Sequence, residues 1–268
     1  MDTKELIRAG RLQEARARAA EEVKSFPSDM ARRTLLFQIL AFCGEWDKAE
    51  RHLDILAEQD PRVETGAQVY RNLMAAERKR EEVFQGKARP GRMSRMPEWL
   101  EELFLAREKL AAGEAEEAAA ILRKIDGQTL SLSGVADGKP FKGFRDADDF
   151  LAHFLEVFID DSYIWFPFDT LREITVSAPK SQIDLLWTPA RIASRDGLAV
   201  GCYLPALYSG AHVSGDDRIR LGRITAWREP GGGITLAEGQ HLFLAGREEK
   251  ALLETREIVF HDGKKGGV

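Results

Sequence analysis

The sequence predicts an α+β protein, with an α-helical repeat region over residues 1–126 and a mainly antiparallel β region with one or two helices over residues 127–268. Three observations carry this. The first 126 residues are dominated by Ala, Leu, Glu, Arg and Lys, with Pro confined to candidate helix boundaries. A motif recurs there at an offset of 34 residues. From about residue 127 glycines cluster, β-branched and aromatic residues rise, and short runs between turn signals replace long helical ones.

The repeat sets the helical elements. Gly10-Arg11-Leu12-Gln13-Glu14-Ala15 aligns with Gly44-Glu45-Trp46-Asp47-Lys48-Ala49, and Pro27 and Pro61 share the same offset. Glycine allows close helix approach at the turn, the small Ala15 or Ala49 packs the second helix on the first, and proline ends that helix. This is the period and layout of a TPR-like helix-turn-helix unit. Gly113 with Ala118 starts a third, degenerate unit that lacks the proline. Helices are expected over 2–9, 12–25, 29–42, 46–59, 62–84, 97–111 and 115–125. Leu35, Leu36, Ile39, Leu40 and Ala41 read as core.

Residues 85–97 break the helical pattern with two prolines and two glycines and read as a basic loop. Across 77–95, Arg78, Lys79, Arg80, Lys87, Arg89, Arg92 and Arg95 outnumber three acidic residues. Without interleaved aromatics for base stacking, a solvated helix end and loop fits this segment better than a phosphate-contacting patch.

In the β region, Asp146-Ala147-Asp148-Asp149 is expected to cap a helix running to Phe158, with Phe150, Leu151, Phe154, Leu155 and Phe158 on one face. Strands are expected at Tyr163–Pro167, Leu171–Ser177, Ala190–Ser194, Ala199–Leu204, Arg223–Glu229, Ile234–Gln240, His241–Ala245 and Glu254–Phe260. Arg195-Asp196-Gly197 and Pro230-Gly231-Gly232-Gly233 suit hairpin turns. Antiparallel pairing into a bent sheet or partial barrel follows.

Composition narrows the function classes. The 268-residue chain carries a net charge of −5, which argues against a dedicated nucleic-acid binder. Its opening residues lack the apolar stretch of a secretory signal and no apolar run spans a bilayer, so a soluble cytoplasmic protein without membrane partners is expected. Phosphate-loop, dinucleotide, zinc-protease and nucleophile-elbow motifs are absent, and neither cofactor nor metal is implied. The five histidines stand apart. Cys43 reads as core filler; Cys202, in a candidate strand, would need a basic partner to act as a nucleophile. The alternative is a cryptic hydrolase-like enzyme of the β region using Cys202, His212 or the pairs Asp160-Asp161 and Asp216-Asp217, although both Asp pairs suit loops or caps better. The tail Gly263-Lys264-Lys265-Gly266-Gly267 has a flexible composition and is not a phosphate loop.

The most distinctive stretches are aromatic and proline-punctuated: Trp165-Phe166-Pro167-Phe168, Asp184 to Ala190 with Trp187, Leu204 to Tyr208, and Leu221 to Trp227. Core packing accounts for them first. The alternative is a partner-binding groove formed by Trp165, Phe166, Phe168, Trp187, Tyr208 and Trp227, with Arg223 as polar anchor. In combination with Arg145-Asp146-Ala147-Asp148-Asp149, Leu155-Glu156-Val157 and Tyr163-Ile164-Trp165, these stretches resemble the ImpE/TagJ family of accessory components of bacterial type VI secretion systems. The resemblance implies a non-enzymatic adaptor. It would bind the N-terminal helix of the small contractile-sheath subunit and be linked, directly or through the sheath, to the AAA+ ATPase that disassembles contracted sheath. It transfers no catalytic residue and leaves the oligomeric state open.

Overall fold

The computed structural model describes residues 1–261; the expected glycine-rich tail at 263–267 lies outside the described residues. Seven helices come first: α1 (Thr3–Arg8), α2 (Leu12–Ser25), α3 (Met30–Phe42), α4 (Trp46–Gln59), α5 (Glu64–Phe84), α6 (Leu100–Ala111) and α7 (Ala115–Gln128). They match the expected helices to within a few residues. The largest differences, three residues each, are at α6, where Pro97 starts a turn that delays the helix to Leu100, and at α7, which runs on to Gln128.

The repeat has a backbone cause. Gly10, Gly44 and Gly113 all adopt left-handed φ between α1 and α2, α3 and α4, and α6 and α7. At each turn the glycine N–H and the next N–H bond back to the preceding helix, to Ile7 and Leu6, Ala41 and Leu40, or Leu110 and Lys109. Ala15, Ala49 and Ala118 are each fully buried, which lets the paired helices pack closely. Helices α2 and α4 stop two residues before Pro27 and Pro61. In α4 the apolar face is Trp46, Ala49, Leu53 and Leu56; α5 packs on α4 and against β5.

Thirteen strands follow: β1 (Ser133–Ala136), β2 (Lys139–Lys142), β3 (Phe144–Asp146), β4 (Phe154–Ile159), β5 (Ser162–Pro167), β6 (Leu171–Val176), β7 (Trp187–Ser194), β8 (Ala199–Pro205), β9 (Thr225–Gly231), β10 (Ile234–Gly239), β11 (Leu242–Ala245), β12 (Glu248–Ala251) and β13 (Glu257–Phe260). One short helix, α8 (Asp217–Arg220), interrupts them. An antiparallel eight-stranded sheet runs β2-β1-β13-β6-β7-β8-β4-β5, beside a three-stranded sheet β12-β11-β3 and the β9–β10 hairpin. The 85–99 loop is ordered against the free edge of β5: Gly91 N–H donates to Tyr163 O at 2.8 Å, and Trp165 N–H to Gly91 O at 3.1 Å.

The expected helix over 146–158 does not form. Asp146 and Asp148 each accept a nearby backbone N–H, from Asp148 and Phe150, and so stabilise turns rather than a helix start. Asp148 and Asp149 also accept the Ala237 and Thr235 N–H groups of β10. Residues 154–158 are instead a strand buried on both faces, whose continuous apolar run carries no two-residue period.

That strand divides two cores. Phe154 and Phe158 of β4, with Tyr163 and Trp165 of β5, join the cluster formed by the helices. The intervening Leu155, Val157, Ile164 and Phe166 point into a second core with Leu171, Ile174, Ile192, Leu204, Phe243 and Phe260. The large sheet thus has one face on the helices and the other around its own interior.

Two of the turn glycines should respond differently to a methyl group. At Gly113 nothing lies within 4 Å of an added Cβ, so Gly113→Ala carries only the left-handed backbone cost, about 1–2 kcal/mol. At Gly44 the Cβ would sit 2.4 Å from His212 Cδ2. Gly44→Ala should therefore cost at least about 1 kcal/mol more, the usual scale of overpacking, in urea unfolding of the two variants.

Candidate functional site

Helix α5 places two charged residues, Glu77 and Arg80, on its buried face beside Leu73, Ala76 and Val83. Opposite them, β4 presents Glu156 between Phe154 and Phe158. The Arg80 guanidinium grips Glu156 with two bonds, Nε to Oε1 at 2.8 Å and Nη2 to Oε2 at 2.7 Å. Nη2 also donates to Leu207 O at 2.9 Å, and Nη1 lies 3.4 Å from Glu77 Oε2. Tyr163 OH donates to Glu156, Trp165 Nε1 donates to Tyr163 OH, and Trp187 Nε1 donates to Glu77 Oε1 at 3.0 Å. His241 bridges two carboxylates, with Nε2 2.8 Å from Glu156 Oε2 and Nδ1 3.1 Å from Asp146 Oδ2. Tyr208 OH donates to Asp146 Oδ1 at 2.7 Å and receives the Leu242 N–H.

Electrostatics follow from this enclosure. Burial alone would push the Glu156 carboxyl up, but the Arg80 charge, reinforced by His241, holds it well below the carboxylate range. Burial alone would lower His241; hydrogen bonds and charge from Asp146 and Glu156 overcome it and raise the imidazole to about 9. Both ring nitrogens face carboxylates, so the charged, doubly protonated ring satisfies both. Glu77 is raised, by burial that Arg80 only partly offsets. Asp148 is raised by burial to about 6, despite the two backbone N–H groups it accepts.

One concavity opens beside this network and another on the N-terminal helices. A cleft of about 390 Å³ lies between the C-terminal end of α5, α6, the 147–151 turn and the β9–β10 hairpin. Arg107 and Phe104 of α6, Phe84, Phe150, Asp148 and Tyr208 line it. An open trough of about 410 Å³ runs between α1 and α3, with Ile7, Ala31 and Leu35 along it, Lys4 and Arg8 on its rim and Gln182 from the β region at its edge.

The proposed aromatic groove is not a surface. Trp165, Phe166, Phe168, Trp187 and Tyr208 are each at most 3% exposed. Their faces are already covered by the chain itself. Trp165 stacks on Phe104 of α6 at 5.8 Å, and Trp187 stacks on Tyr70 of α5 at 6.3 Å and contacts Trp46 of α4. Phe168 packs with Phe144, Phe243 and Phe260 in the second core. Arg223 is committed elsewhere: its guanidinium donates to Ile7 O and Arg8 O, capping the last turn of α1. Only Trp227, 46% exposed on β9, faces solvent among these aromatics.

Four of the seven bases at 77–95 are tied to carboxylates within the chain: Arg78 to Asp47 and Glu50, Lys79 to Asp161, Arg80 to Glu156, and Arg89 to Glu101. Cys202 is buried in the second core, and burial pushes its thiol up to about 12, so it stays protonated at neutral pH. His212 stands against Trp46 and near Glu81, not beside Cys202. Asp160 and Asp161 lie at the β4–β5 turn, where Asp161 pairs with Lys79; Asp216 caps α8 and Asp217 accepts the Gln13 N–H. No group of three metal-binding side chains occurs among the described residues, and no described helix is long and apolar enough to cross a membrane. Sequence reasoning missed Glu156, His241 and the buried role of Arg80. The available signal was Glu156 itself, a lone carboxylate in the apolar run Phe154-Leu155-Glu156-Val157-Phe158.

Comparison with known proteins adds an independent line. The ImpE protein family matches residues 138–259. The chain is 36% identical over 260 residues to the type VI secretion system accessory component TagJ of Pseudomonas aeruginosa, covering 97% of this chain and 91% of that protein. A crystal structure of a Vibrio parahaemolyticus protein shares the fold, with a TM-score of 0.89 and 21% identity over 97% of both chains.

Two outcomes follow from the buried network. Arg80→Met leaves Glu156 buried without its main partner and should cost about 3–5 kcal/mol in chemical unfolding, the scale for breaking a buried ion pair. A histidine raised to about 9 contributes stability that is full below its ordinary value near 6.5 and is lost as pH climbs through 9. Unfolding free energy should therefore fall between pH 6.5 and 9.5 in the parent, and fall less in His241→Gln.

Proposed function

The chain belongs to the ImpE/TagJ family, and on that premise we propose that it is an accessory adaptor of a type VI secretion system, acting in the cytoplasm without catalytic chemistry of its own. Its ligand is the N-terminal helix of the small contractile-sheath subunit. Through that contact it modulates recycling of contracted sheath by the AAA+ ATPase, which it meets directly or by way of the sheath.

The observation that carries this reading is the trough between α1 and α3. Both are first helices of their hairpins, and side by side they leave an open concavity of the kind helical-repeat proteins use for binding. An amphipathic helix laid there would bury its apolar side against Ile7, Ala31 and Leu35. Lys4 and Arg8 make no ion pair among the described residues, so their charge is available to acidic groups flanking such a helix. Apolar anchors would supply most of the affinity; the rim charges would set on-rate and salt dependence.

Calorimetric titration of the protein with a synthetic sheath-subunit helix from the same secretion cluster tests this. Saturable binding with a negative heat-capacity change is expected, weakened at least tenfold by Leu35→Glu. Lys4→Glu with Arg8→Glu should chiefly slow association and flatten its salt dependence. A peptide that binds no more tightly than its scrambled control would contradict the reading.

A further inference from the structure

The cleft beside α6 contains a cation that the fold does not neutralise. Arg107 Nη2 donates to Phe84 O at 2.9 Å, the last carbonyl of α5. Its guanidinium lies 4.5 Å from the Phe84 ring centroid and 5.3 Å from that of Phe150. Among the described residues no carboxylate stands within ion-pair distance of it. Every other arginine lining the cleft has one: Arg89 pairs with Glu101 and Arg228 with Glu238. Burial lowers the proton affinity of Arg107, and the more distant Asp148 offsets this only in part. A desolvated guanidinium with apolar walls and open space before it is the half of an ion pair that a ligand completes.

The walls narrow the ligand further. Phe84, Leu110, Pro230 and Leu236 are the partly exposed apolar residues of the lining, and about 390 Å³ accommodates a small organic body. Glu108, Glu238 and Asp148 also border the space, which disfavours a phosphate dianion over a single negative charge. We propose that this cleft is a binding site for a carboxylate carried on an apolar body, with Arg107 receiving the carboxylate and the partly exposed Phe84, Leu110 and Leu236 receiving the body. The same chemistry is offered by a free aryl or alkyl acid and by a glutamate within an apolar peptide. The site is separate from the α1–α3 trough and does not rest on the sheath reading.

The test is calorimetric titration of the full chain with 3-phenylpropanoate, its neutral counterpart 3-phenylpropanol, inorganic phosphate, and an acetylated, amidated Leu-Glu-Leu-Leu peptide. The acid or the peptide should bind saturably, at least tenfold tighter than the alcohol or phosphate. Tighter binding of the acid assigns a free small molecule; tighter binding of the peptide assigns an acidic side chain of a partner. Arg107→Gln should abolish the preference for the carboxylate over the alcohol. Ala111→Trp, at an exposed position on the cleft wall, should block both ligands while leaving the circular dichroism spectrum unchanged. Equal binding of acid and alcohol, stronger binding of phosphate, unchanged binding in both variants, or no binding of either carboxylate would overturn the proposal.

Discussion

The contact between Arg80 and Glu156 constrains everything around it. A guanidinium on a helix and a carboxylate in the middle of a strand are both taken out of water, and neither is tolerable there alone. Each therefore fixes the other: α5, which packs on β5, must sit at one rotation and one height for Arg80 to reach Glu156 on β4, or two charges are stranded. His241 extends the requirement to β11, since it stands between Glu156 and Asp146. Tyr208 extends it to the segment after β8 through the same Asp146. A buried network of this kind adds little net stability over an apolar replacement, but it penalises every alternative packing of the two halves.

Around this polar centre the apolar chemistry is organised by strand alternation. One face of β4 and β5 gives Phe154, Phe158, Tyr163 and Trp165 to the helices, and the other gives Leu155, Val157, Ile164 and Phe166 to the sheet interior. Four of the five tryptophans sit on this seam. Trp46 and Trp187 meet between α4 and β7, Trp99 contacts Phe154, and Trp165 stacks on Phe104. The helices thus occupy the aromatic surface that a partner helix would otherwise use. Surface left for binding lies where the helices turn their other faces outward, along α1 and α3, or where the β9–β10 hairpin stands off from α6.

How much of this was legible in the sequence depends on how local each cause is. The helical region was readable because its determinants are short-range: a left-handed glycine, an alanine five residues on, and an apolar stripe. Hairpins at Arg195-Asp196-Gly197 and Pro230 to Gly233 were readable for the same reason. The β1–β2 hairpin carries an equally local signal, Asp137-Gly138, both residues at positive φ. Strand β4 looks like a helical face in the sequence because burial on both sides removes the alternation that marks a strand. The charge network was not readable. Arg80 and Glu156 are 76 residues apart, and Glu156 and His241 are 85 apart, so no spacing rule joins them. The aromatic residues announced large buried area, but sequence alone does not say whether a partner or the chain's own helices cover it.

The helical and β halves should unfold as one cooperative unit, held in register through the Arg80–Glu156 contact between α5 and β4. The most direct test is thermal unfolding followed by infrared spectroscopy, in which the helix and sheet amide bands of one sample are read together. Coincident midpoints for the two bands are predicted, because loss of the α5–β4 contact strands buried charge on both sides. A helix band that melts well before the sheet band would contradict the account, since it would show that the β region keeps its structure without the helices.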